Sequence, residues 1–260
     1  MTEGTVTSIE LDAEEYNDFL RCLINLREVC NDVDIRGGMI RQRSNDLTAV
    51  FELDMKPVLN EINLPISNLK KKLDLLKAFS GQEVKIEINE GENESTSYFV
   101  ISDSQSSIRF LFPTLEFLDN KFMTEEELDN IFNLEEEDLL MHSDLSSVVT
   151  DRINVITTNF NTQAIRINFE GDEASITAST ASKDQVAKFK EGILTNINFS
   201  GRYFSNLSTI PFSIEHDEDL VFKMYKDPNQ NVSLNNIKTQ LGSVEISIFS
   251  RSTLIEDEND

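Results

Sequence analysis

Two helix starts in each half of the chain, set at nearly the same spacing, constrain this sequence more than any other feature. Asp12 opens a stretch whose apolar residues Tyr16, Phe19, Leu20, Leu23 and Leu26 fall on one helical face, and Glu15 completes a capping box with it. Ser67 caps a second stretch in which Leu69, Leu73, Leu76 and Phe79 recur at helical spacing, and Gly81 ends it. In the second half the corresponding starts are Asp144, for a helix to about Thr158, and Ser200, for a short helix through about Ser208. The two pairs are 55 and 56 residues apart. No sequence identity links the halves, so the repeat is one of architecture.

Between the helices the sequence alternates with a period of two. Val84, Ile86 and Ile88 against Glu83, Lys85 and Glu87 is the clearest case of a half-buried strand. Strands are expected at Thr5 to Leu11, Val33 to Arg36, Met39 to Arg43, Leu47 to Asp54, Glu83 to Asn89, Ser97 to Ser102 and Ser107 to Phe112. The second half is expected to place them at Ala164 to Phe169, Ala174 to Thr180, Gln185 to Phe189, Leu194 to Phe199, Phe212 to Glu215, Leu220 to Tyr225 and Val244 to Phe249. The fold class is α+β: two similar domains, each an antiparallel sheet with two helices on one face. The divisions are residues 1–118, a connector at 119–143, a second domain at 144–254 and an acidic tail at 255–260.

Charge then says where partners can sit. Forty-seven acids against 23 bases give a formal charge of −24, which repels phosphate backbones and anionic membranes from the surface as a whole. Eleven acids and one base lie between Glu116 and Asp144, interleaved with Phe117, Leu118, Phe122, Met123, Leu128, Ile131, Phe132, Leu134, Leu139 and Leu140. Such a segment can lie on a surface, unlike a purely solvated tail. The opposite bias appears at Lys70, Lys71, Lys72 and Lys77, on the polar face of the second helix.

A search for reactive constellations returns nothing specific. No phosphate-cradling glycine loop is present, and Gly37-Gly38 lacks the helix and lysine that would make one. His142 and His216 sit apart among acids, and Cys22 and Cys30 belong to one amphipathic pattern as reduced core residues. No catalytic residue, metal site or cofactor is expected. No apolar run approaches membrane-spanning length, and the acid-rich start is unlike a secretory leader, so an intracellular, cytoplasmic location is expected.

The run Asp34 through Leu53, turning at Gly37-Gly38, resembles the strand-turn-strand unit that follows the first helix of DNA sliding clamps. These are the polymerase processivity factors, in the two-domain form of proliferating cell nuclear antigen and the T-even phage clamps. Asn93 through Phe110 is similar to the last hairpin of a phage clamp's first domain. Val244 through Phe249, followed by Ile255-Glu256-Asp257-Glu258, resembles the final strand and acidic tail. The resemblance implies a head-to-tail homotrimeric ring whose helices line a hole for duplex DNA, with a viral or phage origin as one source. A closed ring holds DNA by topology, so a repulsive exterior is compatible with a few cations in the lining.

Carried onto this sequence, the DNA-facing residues are Arg21, Lys70, Lys71, Lys72, Lys77, Arg152 and Arg202. The pocket for a partner peptide takes Arg43, Leu47, Leu128, Ile131, Phe132, Leu134, Ile248 and Phe249. The subunit interface takes one strand edge with Ser107, Ile108, Phe110 and Phe112 and another with Ala174, Ile176 and Ala178. The implied partners are duplex DNA, a DNA polymerase and a clamp loader, with no membrane. Two other readings fit the composition: an acidic β-rich interaction protein or DNA mimic without a ring, and a metal-dependent hydrolase using clustered carboxylates.

Overall fold

The computed structural model describes residues 5–91, 97–161, 164–170, 173–180, 186–189, 193–197, 202–208, 212–228 and 230–256. The chain divides into two compact units. One takes Met1–Leu47, Phe51–Thr124 and Leu241–Ile246; the other takes Thr48–Val50, Glu125–Gln240 and Ser247–Asp260. The connector segment 119–143 is therefore shared between them, its first residues packing in the first unit and the rest in the second.

The first unit begins with β1 (Thr5–Leu11) and α1 (Ala13–Arg27), then β2 (Val33–Arg36), β3 (Met39–Arg43) and β4 (Ala49–Asp54). A single-turn α2 (Lys56–Leu59), β5 (Leu64–Ile66) and the cationic α3 (Leu69–Leu76) follow, with a 3-10 turn at Lys77–Phe79. β6 (Val84–Glu90), β7 (Tyr98–Ser102) and β8 (Ser107–Leu111) complete it. The capping box of α1 is formed: the Asp12 carboxylate accepts the Glu14 and Glu15 amides, each at 2.9 Å, and Glu15 reaches back to the Asp12 amide at 2.9 Å. β1, β6, β7 and β8 form an antiparallel sheet in that order. Its register stacks Ile9 opposite Ile86 and Ile86 opposite Ile101, and sets Ile88, Phe99 and Phe110 in one row, where the two phenyl rings stack at 4.8 Å. These strand residues and the stripe Tyr16, Phe19, Leu23 and Leu26 of α1 are all buried in the core.

The second unit contains α4 (Glu125–Ile131), β9 (Leu139–Leu145), α5 (Ser147–Asn159), β10 (Ala164–Glu170), β11 (Glu173–Ser179), β12 (Val186–Phe189) and β13 (Ile193–Ile197). It continues with β14 (Arg202–Ser208), β15 (Leu220–Lys226), β16 (Val232–Leu241) and β17 (Val244–Glu256), of which Leu241 and residues 244–246 belong to the first unit. Nine strands run β12-β11-β10-β14-β17-β16-β15-β9-β13.

Four differences from the sequence expectations stand out. The fourth helix is absent: residues 202–208 are β14, antiparallel to β10 and β17, and the cap expected at Ser200 lies outside the described residues. Ser205 is fully buried there and bonds to Ser233 (3.0 Å) and Ser252 (2.6 Å), so cross-strand pairing overrides a local capping signal. The helix expected from Asp144 starts later, because Leu139–Leu145 is a strand between β15 and β13. Phe212–Glu215 is not a strand, although Phe212 and Ile214 are buried. β16 carries no sequence signal, since Ser233, Asn235, Asn236 and Thr239 are buried along it beside its apolar residues.

Candidate nucleic-acid interface

The cationic helix is positioned by its apolar stripe. Leu69, Leu73 and Leu76 are buried together with Phe79, which turns Lys70, Lys71 and Lys77 to solvent with Asp74 and Leu75. Its first residue is set by Asn68, held in the left-handed conformation at φ 52°, one position after the expected cap Ser67. Asn tolerates that conformation better than most side chains. Gly81, at φ 76°, follows the terminal 3-10 turn as expected.

Lys72 differs from its neighbours. It is half-buried, donates to Ser67 Oγ at 3.1 Å, and has its ammonium pKa lowered by burial, an effect the Asp32 carboxylate partly opposes. The solvent-facing cations of this helix and its terminal 3-10 turn are thus Lys70, Lys71 and Lys77.

The other DNA-facing candidates are weaker. Arg21 on α1 is half-buried and pairs with Asp18 at 3.6 Å. Asp18 in turn accepts the Ser243 amide at 3.3 Å, where the turn after β16 packs so closely that a Cβ on Gly242 would lie 1.8 Å from Asp18 Oδ2. Arg152 is exposed on α5, but beside Asp151 and between Val148 and Val155, which are 57% and 60% exposed. Arg202 begins strand β14 rather than lying on a helix. The cationic character among these elements is therefore concentrated on α3.

Of the partner-pocket residues, the second unit brings several together. Phe132, at the end of the connector helix α4, packs on Phe249 of β17 with ring centroids 5.5 Å apart. Leu128 and Ile248 are buried, while Ile131 and Leu134 are half-buried. Arg251, which sequence reasoning passed over, places its guanidinium 5.7 Å from the Phe132 ring and donates to the Ile131 carbonyl. Its one sequence signal is a base within two positions of the expected anchor Phe249. In the first unit Arg43 is exposed, and Leu47 is 71% exposed at φ 60°. A leucine in that conformation is uncommon, and holding it there presents an apolar side chain to solvent.

For the strand edges, β8 is terminal in its sheet, with Phe110 turned inward and Leu111 turned outward at 61% exposure; Ser107 is exposed, and Ile108 and Phe112 are half-buried. The edge assigned to Ala174, Ile176 and Ala178 is corrected. β11 is interior, pairing with β10 on one side and with β12 on the other, where Ile176 lies opposite Phe189 and Ala178 opposite Ala187. The open edge is β12, whose Val186 is 58% exposed. Among the described residues no three His, Cys, Asp or Glu side chains converge on a site that could hold a metal ion, and no helix is long and apolar enough to cross a membrane.

Antiparallel sheets with few helices, arranged in this way, define the DNA sliding-clamp fold. Solved structures that share it include proliferating cell nuclear antigens. That of Entamoeba histolytica is 13% identical with a TM-score of 0.63, over 95% of this chain and 98% of its own. That of Thermococcus kodakaraensis is 10% identical with a TM-score of 0.62, over 95% and 99%. A subunit of the PCNA2-PCNA3 complex of Sulfolobus tokodaii is 14% identical with a TM-score of 0.61, again over 95% and 99%. No protein-family model matches the sequence, and no curated protein matches it.

Proposed function

We propose that this chain is a non-catalytic DNA sliding clamp. Three copies close head to tail around duplex DNA, an ATP-driven loader opens the ring, and the ring tethers the replicative polymerase inside the cell. The observation that carries this reading is a coincidence: the clamp fold extends over 95% of a chain charged −24, and the exposed lysines Lys70, Lys71 and Lys77 cluster on α3 and the 3-10 turn that follows it. A surface so acidic does not hold DNA by attraction, and a closed ring does not need to. Few, sequence-independent phosphate contacts also leave the ring free to slide.

In the proposed ring the β8 edge of one subunit pairs with the β12 edge of the next, so that neither edge stays open. Leu111 and Val186 are the exposed apolar residues that this pairing covers. Partner peptides engage the surface around Phe132, Leu134 and Phe249, and the acids of the connector favour peptides with bases beside their apolar anchors.

The test is topological. With a loader and ATP, the protein should stay on nicked circular DNA through gel filtration and leave once the circle is cut. Equal loss from circular and linear DNA would contradict the reading and favour an acidic DNA mimic.

A further inference from the structure

We propose that Asp32 is a positioning residue that couples the start of the cationic helix to the start of the acidic connector. It lies in the short loop between α1 and β2, only 7% exposed, and each of its oxygens holds a different element. Oδ1 accepts the Asn68 amide at 2.8 Å, at the residue that sets the first turn of α3. Oδ2 accepts the Asp119 amide at 2.8 Å, in the connector.

The surrounding bonds follow the same division. Asn31, its neighbour in the loop, accepts the Leu69 amide at 2.8 Å on the helix side. On the connector side it donates from its side chain to Asp119 at 3.0 Å and from its backbone to Asn120 Oδ1 at 2.8 Å. Asn120 is itself buried, and its amide group donates to the Arg43 carbonyl at 2.8 Å. Half-buried Lys72 supplies the nearby positive charge.

A carboxylate suits this joint because it accepts on both oxygens. An asparagine of the same shape accepts on one, and its NH₂ would face the other N–H, so one of the two elements must be released. Displacing the connector therefore displaces the first turn of α3, and the reverse holds with equal free energy. Under the clamp reading on which this meaning rests, a partner seated on the connector biases the placement of Lys70 and Lys71 toward DNA.

Hydrogen exchange of single amides tests the coupling without ring, loader or DNA, so its outcome is independent of the clamp reading. Leu118→Ala loosens the connector beside Asp119, because Leu118 is buried. In the chain with Asp32, this change should speed exchange at both Asp119 and Asn68 by about tenfold, the size that one hydrogen bond supplies. The β6 amides of Ile86 and Ile88 should hold their rates, which excludes global unfolding. In an Asp32→Asn background, Leu118→Ala should no longer change Asn68. An Asn68 rate untouched by Leu118→Ala would overturn the proposal, even if Asp32→Asn fails to fold. So would an equal response with and without Asp32.

Discussion

The hydroxyl of Tyr16 donates a 2.8 Å hydrogen bond to the backbone carbonyl of Leu76, joining α1 to the last turn of α3 inside the core. The bond brings a side-chain donor to a carbonyl in the last turn of α3, where intrahelical donors run out. Burial raises the phenol's pKa, so the donor proton is kept. Tyr16→Phe should lower stability against unfolding by about 0.5–1.5 kcal/mol, the net contribution of one buried hydrogen bond. Urea denaturation should show a reduced midpoint at unchanged slope, and an unchanged midpoint would count against the bond.

The turn after β16 depends on a side chain more than 200 positions away. Gly242 has φ 55°, and the three atoms nearest to where its Cβ would lie all belong to Asp18. Gly242→Ala should destabilise by about 1–3 kcal/mol. Asp18→Ala should relieve the clash and leave only the backbone strain. The two changes together should then cost less than their sum by more than about 0.5 kcal/mol, and strict additivity would refute the contact.

Alkaline stability should follow the Cys30 thiol. Burial, reinforced by Asp32 and Asp46, pushes it from 9.0 up to about 12. Above pH 9 the unfolded chain releases this proton while the folded chain keeps it. The stability contributed by Cys30 is therefore whole below pH 9 and falls by up to about 1.4 kcal/mol per pH unit toward pH 12. Urea midpoints at pH 8 and pH 10 should fall further in the native sequence than in Cys30→Ala. Equal falls would contradict the assignment.

Among the lysines, exposure predicts a division of labour. Removing Lys70, Lys71 or Lys77 should each reduce the salt dependence of duplex binding, by about one in the log–log slope for every phosphate no longer neutralised. Lys72→Met should leave that slope alone, because its ammonium is directed to Ser67 and Asp32. A reduced slope for Lys72→Met would mean that Lys72 reaches DNA.

The elements legible in the sequence are those where one physical signal dominates. The Asp12–Glu15 box and the stripe from Tyr16 to Leu26 locate α1, and strict alternation locates β6. β16 escapes because its buried side chains include Ser233, Asn235 and Asn236, set among partners across strands; Asn235 donates to Ser252 Oγ at 2.9 Å. Such pairs are close in space only after folding, and no local window contains them. β9 is hidden for a related reason, since its His142, Ser143 and Asp144 break the apolar alternation at the end of an acidic run. Of the candidate site, the lysines are readable as a charge cluster. That Lys72 turns inward is not, because its burial and its nearness to Asp32, 40 residues earlier in the chain, arise only in the folded protein. The displacement of the second edge from β11 to β12 likewise depends on which strand is added last to the sheet.

The central claim is a closed ring, and two-dimensional image averages of the purified protein test it most directly, paired with native mass across a concentration series. The account predicts a three-subunit ring with an open centre, weakened by a charged or proline substitution at Leu111 on the β8 edge. A strict monomer at every concentration, or an assembly with no central hole, would contradict it.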